Sequence, residues 1–75
     1  MFIFGKKKLM NLYNTIVKDL EFAEHKVKYY EKREQEERTD DERKIMHDLL
    51  EYWLGRATSY LYVKNKLDNI IHKVD

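Results

Sequence analysis

The sequence predicts an all-α protein in the form of a long antiparallel helical hairpin, a two-helix coiled coil that we expect to dimerise into a four-helix bundle. Apolar residues recur at alternating spacings of three and four in both halves of the chain, the heptad period of coiled-coil helices. A helix-start signal separates the two halves. The 75 residues include two glycines, no proline and 39% charged side chains. This composition is typical of long helices, and the length fits one domain spanning residues 1–75.

The first predicted helix covers about residues 6–37. No proline or glycine interrupts this span, and its lysine, glutamate and leucine residues favour helix. Gly5 separates it from an apolar N-terminal arm of residues 1–5. We expect this arm to dock into a groove at a subunit interface or, with the lysines that follow it, to touch a membrane weakly. The apolar stripe of the helix comprises Leu9, Tyr13, Ile16, Leu20, Ala23, Val27 and Tyr30.

The second predicted helix starts after Thr39 and covers about residues 40–73. Thr39 and Glu42 have the spacing of a capping box, in which each side chain accepts a hydrogen bond from the other residue's backbone N–H. Folding the chain at this turn places Arg56 opposite Ala23. We interpret Arg56 as a polar layer that fixes the register, with an anion-binding pocket as the alternative. The stripe comprises Met46, Leu49, Trp53, Arg56, Tyr60, Val63, Leu67, Ile70 and Val74.

The second helix carries another apolar stripe beside the first. A lone hairpin would leave this stripe in water as a contiguous patch, which monomeric proteins seldom tolerate. A homodimer of hairpins would cover it by forming a four-helix bundle. The residues that we assign to the dimer interface are Leu50, Leu54, Ala57 and Leu61.

Aromatic side chains that project away from the stripes are the candidates for protein binding, because such residues are typical interaction hot spots. Phe22 and Tyr29 lie two helical turns apart on one face of the first helix. Tyr62 takes an outward position on the second helix. Phe2 and Phe4 belong to the N-terminal arm and complete the predicted protein-binding set.

Charge is distributed unevenly along the chain, although the net charge is only +1. Residues 1–18 hold four lysines and no acid, whereas residues 19–42 hold ten acidic and five basic side chains. A hairpin brings the chain ends together, so we expect a basic open end and an acidic turn end. Binding of structured RNA or DNA at the open end is therefore an alternative function. The residues that would serve it are Lys6, Lys7, Lys8, Lys64, Lys66 and Lys73.

The residues that catalysis or metal binding would need are scarce. There is no cysteine, which excludes disulfides and thiolate metal sites. None of the three histidines has a glutamate three residues before it, so the Glu-x-x-His motif of metal-binding bundles is absent. Ser59 is the only serine, and no glycine-rich phosphate loop is present. We therefore expect no enzymatic activity, no metal and no cofactor.

The apolar runs are far shorter than the ~20 residues that a membrane-spanning helix needs, so we expect no membrane span and a cytoplasmic location. Together these features predict a small non-enzymatic interaction or regulatory protein, which binds another protein as a homodimeric helical bundle. Nucleic-acid binding and a purely structural assembly unit are the alternatives.

Overall fold

The computed structural model describes the backbone of residues 2–74 and the side chains of residues 5–73. This part of the chain forms two α-helices, α1 (Phe2–Glu36) and α2 (Asp40–Val74), which pack against each other. They make an elongated hairpin that measures 58 × 14 × 12 Å. The predicted all-α hairpin is confirmed. No helix within the described range has an apolar stretch long enough to cross a bilayer.

Helix α1 begins at Phe2 and continues through Gly5, earlier than the predicted start near residue 6. A glycine inside a helix costs about 1 kcal/mol relative to alanine, and the helical hydrogen bonds on either side of Gly5 are sufficient to carry the chain across it. The predicted role of Phe2 and Phe4 in docking concerns side chains that lie outside the described residues. It remains a prediction.

The turn between the helices contains the predicted capping signal. The backbone N–H of Glu42 donates a hydrogen bond to Thr39 Oγ1 at 3.2 Å, and the N–H of Arg43 donates to the Thr39 carbonyl oxygen at 3.0 Å. Three acidic residues occupy the first turn of α2, namely Asp40, Asp41 and Glu42. Their negative charges stabilise the start of the helix because they are attracted to the positive end of its dipole. The start of α2 after Thr39 is thus confirmed.

The interface between the helices uses the predicted stripe of α1. Leu20 and Ala23 are buried, with 8% and 0% of their surface exposed, and the other members of the stripe are half-buried. Three contacts between the helices define their register from the turn to the open end. They join Glu34 with His47, Phe22 with Trp53, and Tyr13 with Lys64.

The predicted stripe of α2 is wrong in part. Its exposed members are Arg56, Val63 and Ile70, so Arg56 does not face Ala23 across the interface. The side chain of Val74, the last predicted member, lies outside the described residues. The residues that the structure places at the interface are Met46, Leu49, Leu50, Trp53, Ala57, Tyr60, Lys64, Leu67 and Ile71, all buried or half-buried.

The choice between the two faces of α2 has a physical explanation. The predicted and the observed face of α2 have the residue at every seventh position in common. Each face also contains one cation, which is Arg56 on the predicted face and Lys64 on the observed face. Lys64 can leave its charge at the rim because its long side chain lies over the Tyr13 ring, with Nζ 5.7 Å from the ring centre. Ala57 also brings a small side chain to the interface, which allows close approach of the helices.

The hydrophobic core that results is small. Its buried members among the described side chains are Leu20, Ala23, Leu50, Leu67 and Ile71, and no large side chain among them is completely covered. Large apolar side chains remain exposed along both helices, including Leu54 at 45% and Leu61 at 47%. A single hairpin therefore leaves apolar surface that a partner can cover.

Candidate protein-binding surface

The predicted residues Phe22 and Tyr29 lie on one exposed face of α1, with Lys26 between them. Phe22 is 55% exposed and Tyr29 is 47% exposed. The Lys26 Nζ atom lies 5.4 Å from the centre of the Phe22 ring and 6.0 Å from that of Tyr29. Spacings of three and four residues align these side chains along the helix. The lysine is therefore held against both rings by cation–π attraction.

Arg33 continues the row formed by Phe22, Lys26 and Tyr29 towards the turn. Its guanidinium carbon lies 5.9 Å from the centre of the Tyr29 ring, and its Nη1 donates a hydrogen bond to Tyr29 Oη at 3.0 Å. Arg33 also forms an ion pair with Glu37. Hydrogen bonds to Glu37 and then to Tyr29 raise the pKa of Arg33, and this arginine, unlike Lys26, has a carboxylate partner within the chain.

An aromatic contact connects this row to α2. The rings of Phe22 and Trp53 meet edge to face, with centres 5.5 Å apart and planes inclined at 74°. Tyr52 in turn meets Trp53 at 5.2 Å, with an interplanar angle of 87°. Both geometries are favoured by the quadrupoles of the rings. A continuous row of rings therefore crosses from one helix to the other through the half-buried Trp53.

Arg56 lies at the far side of this surface, exposed to solvent. Its guanidinium carbon is 5.7 Å from the centre of the Tyr52 ring and 5.2 Å from that of Tyr60. The guanidinium also donates a hydrogen bond to Tyr60 Oη, and this bond, together with the nearby Tyr52, raises the pKa of Arg56. The arginine is thus oriented by two tyrosines, one helical turn on either side.

These contacts define a continuous surface, which we call the aromatic ribbon. It contains five aromatic rings and two cations, held together by edge-to-face and cation–π contacts across α1 and α2. Its members are Phe22, Lys26, Tyr29, Tyr52, Trp53, Arg56 and Tyr60.

The third predicted aromatic residue, Tyr62, lies apart from the ribbon. It is 63% exposed, and its ring contact is with Lys66, whose Nζ lies 5.3 Å from the ring centre. The prediction therefore names two of the seven ribbon residues and omits the other five, which are Lys26, Tyr52, Trp53, Arg56 and Tyr60. A signal for the α2 half was present in the sequence, since tyrosines four residues before and after Arg56 stack on it when the segment is helical.

Four residues were assigned to a dimer interface, and the structure divides them into two groups. Leu50 is 9% exposed and Ala57 is half-buried, both against α1. Leu54 and Leu61 remain exposed. Leu54 and Ala57 line a shallow groove of about 240 Å³ with Glu24, Val27, Lys28 and Glu31 of α1. A second copy of the chain would therefore find mainly Leu54 and Leu61 uncovered.

The lysines proposed for nucleic-acid binding have different surroundings. Lys7, Lys8 and Lys73 are exposed near the open end, as is Lys6. Lys64 is half-buried, and its Nζ donates a hydrogen bond to Asp68 at 3.4 Å. Hydrogen bonds to Tyr13 and Asp68 raise the pKa of Lys64. Because Lys66 lies over Tyr62, both Lys64 and Lys66 have partners that reduce their availability to a phosphate.

His47 links the two helices next to the turn. Its Nδ1 lies 3.2 Å from Glu34 Oε1 on α1, and its Nε2 lies 3.1 Å from Glu51 Oε1 on α2. The charge of Glu34, with a smaller contribution from Glu51, raises the pKa of His47. No cluster of three or more ligand-type side chains among the described residues has the geometry to hold a metal ion. The histidine thus acts as a link between carboxylates.

This link predicts a dependence of stability on pH. Because the pKa of His47 is higher in the folded state, its protonated form stabilises the fold below the unfolded value of about 6.5, and this contribution disappears as the pH rises through the folded pKa. Thermal unfolding followed by circular dichroism should show that, between about pH 6 and about pH 8.5, the wild type loses more stability than His47→Gln does. His25→Gln, at an exposed position of α1, serves as the control. Equal pH responses of the wild type and His47→Gln would contradict the assignment.

Comparisons with protein-family models, curated proteins and solved structures found no match to this chain.

Proposed function

We propose that this hairpin is a small non-enzymatic interaction protein that binds another protein through the aromatic ribbon, and that it works as a homodimeric helical bundle in the cytoplasm. One observation carries the proposal, namely the unbroken row of exposed and half-buried rings and cations that crosses both helices. Tryptophan, tyrosine and arginine are the residue types most enriched at binding hot spots. The ribbon contains all three.

The packing of the ribbon favours binding because it limits the entropy lost on association. Lys26 and Arg56 are long side chains that would ordinarily lose rotamer freedom when a partner immobilises them. Each is already held between two rings. A partner thus meets a surface whose shape is largely formed in advance.

The proposed dimer would use a different side of α2. Leu54 follows Tyr52 by two residues, and two residues on an α-helix point in nearly opposite directions. Covering Leu54 and Leu61 in a four-helix bundle therefore leaves Tyr52 and the ribbon open. The small core of one hairpin supports this arrangement, since additional apolar burial would stabilise the fold.

We expect Phe22→Ala to weaken capture of a protein partner by about 2 kcal/mol, roughly thirtyfold, as for a hot-spot residue. The measurement is an affinity pull-down from a lysate of the native host, washed at low and high salt and repeated after nuclease treatment. Tyr62→Ala is the matched control because it removes a ring of comparable exposure that lies away from the ribbon. Circular dichroism would verify that both variants stay helical.

Three results would contradict this function. Nucleic acid that elutes with salt, and is lost when Lys7 and Lys8 are replaced, would favour the lysine-rich open end. Capture of nothing at either salt concentration would favour a purely structural assembly unit. Equal loss of partner in Phe22→Ala and Tyr62→Ala would move the binding surface off the ribbon.

A further inference from the structure

Both cations of the aromatic ribbon lack an acidic partner among the described residues. Four other cations of the hairpin, Lys32, Arg33, Arg43 and Lys64, do pair with carboxylates four or three residues away. The cation–π contacts and the hydrogen bond of Lys26 and Arg56 are instead with aromatic side chains. The ribbon therefore presents two positive charges that nothing in the described structure neutralises.

Arg56 borders a shallow notch on the surface of α2. The notch has a volume of about 360 Å³ and is lined by Tyr52, Gly55, Arg56, Ser59 and Tyr60. Gly55 leaves its floor open, because a Cβ atom built there meets nothing within 4 Å. The Ser59 hydroxyl has no hydrogen-bond partner among the described residues. One donor group and one guanidinium thus face an unfilled space.

We propose that this notch binds a carboxylate side chain from an acidic helical segment of the protein partner, with Arg56 as the principal cation and Ser59 as a second donor. This inference rests on the proposed function and names the chemistry of its partner. A guanidinium forms paired hydrogen bonds with a carboxylate. The hydrogen bond to Tyr60 and the stacking on Tyr52 hold the guanidinium in place, so its remaining N–H groups are directed in advance.

A phosphate would satisfy the same guanidinium, but the surroundings favour an acidic polypeptide. Single-stranded nucleic acid binds by stacking bases on free aromatic faces. The rings of Phe22, Tyr29, Tyr52 and Tyr60 each have a cation over one face. Two unneutralised cations also match a pair of carboxylates on one helix better than they match a chain of phosphates.

Trp53 provides the readout, since it is the only tryptophan of the chain and contacts Tyr52 at the edge of the notch. The probe is a synthetic helical peptide with glutamates on one face and leucines on the other. Its control has glutamine in place of every glutamate. We expect the acidic peptide alone to shift the Trp53 fluorescence of the full chain at low salt.

We expect Arg56→Gln to weaken binding of the acidic peptide about tenfold, equivalent to about 1.4 kcal/mol. Lys28→Gln, which removes the same charge from an exposed position outside the ribbon, should leave the affinity within about twofold. Gly55→Leu fills the notch with a better helix former, so it should reduce binding while the hairpin remains at least as stable. Loss of binding in this variant cannot come from unfolding.

Several outcomes would overturn the inference. They are absence of binding, equal binding of the glutamine peptide, equal losses in Arg56→Gln and Lys28→Gln, and tighter Arg56-dependent binding of an oligothymidylate probe. A lower molar mass of Arg56→Gln in sedimentation would assign the notch to a second copy of the chain instead. Partner capture that needs Phe22 but not Arg56 would overturn this inference alone, whereas capture that needs neither would overturn the proposed function.

Discussion

Leu20→Ala should lower the free energy of unfolding by about 3 kcal/mol, the loss typical of a buried leucine truncated to alanine. Leu20 is 8% exposed and lies in the middle of the interface between the helices. The core contains few such residues, so neighbouring side chains can replace only part of the lost contact. For a chain of this length the total stability is roughly 4–11 kcal/mol, so the substitution should remove between about a quarter and three quarters of it. Urea unfolding followed by circular dichroism measures the change.

The chain offers a matched control for this experiment. Leu12→Ala makes the same substitution in the same helix at a side chain that is 47% exposed, and we expect it to cost less than about 1 kcal/mol. Both variants should be compared with the wild type at one protein concentration, because any self-association would add to the apparent stability. Equal costs at the two positions would mean that the hairpin packs differently in solution.

Leu54→Glu should halve the molar mass of the protein in solution while leaving most of the helix intact. The substitution places a charge on the exposed apolar side of α2, where Leu54 and Ala57 line the shallow groove with residues of α1. Burying an unpaired carboxylate in a dimer interface costs several kcal/mol. The same carboxylate in a monomer stays in water at little cost. Sedimentation equilibrium, combined with circular dichroism, separates these effects.

Ile45→Glu is the control for the dimer. Ile45 is 55% exposed, comparable with Leu54, but it belongs to a different side of α2, and we expect its replacement to leave the molar mass unchanged. A wild-type protein that sediments as a monomer would contradict the proposed homodimer directly. Dissociation caused equally by both variants would show that the interface is not centred on Leu54.

The hairpin itself could be predicted from the sequence because its determinants are local. The cap at Thr39 and the absence of proline, with a single glycine in each helix, define two helices and their direction. The stripe of α1 could also be predicted, since only one of its faces is continuously apolar. The stripe of α2 could not be predicted, because its two candidate faces are very similar. At every second position of the stripe, one face uses a given residue and the other face uses the residue next to it in the chain. Choosing between them required knowing that Lys64 reaches Tyr13.

The candidate binding surface was predictable only in part. Phe22 and Tyr29 are conspicuous because they lie off the α1 stripe, whereas Trp53 belongs to the α2 stripe and was expected in the core. Trp53 belongs both to the core and to the binding surface, since its ring is half-buried and also meets Phe22 at the surface. Contacts between helices depend on their relative rotation, which a period of three and four residues leaves undetermined. Arg56 was misplaced for the same reason.

The nesting of the contacts between α1 and α2 has a consequence for folding kinetics. Glu34 and His47 are separated by 13 residues, and the contacts of Phe22 with Trp53 and of Tyr13 with Lys64 close progressively larger loops around the same turn. Each outer contact becomes less costly in chain entropy once the inner ones have formed. We therefore expect the hairpin to fold as a zipper that starts at Thr39. Substitutions near the turn should slow folding, and substitutions near Tyr13 should instead accelerate unfolding.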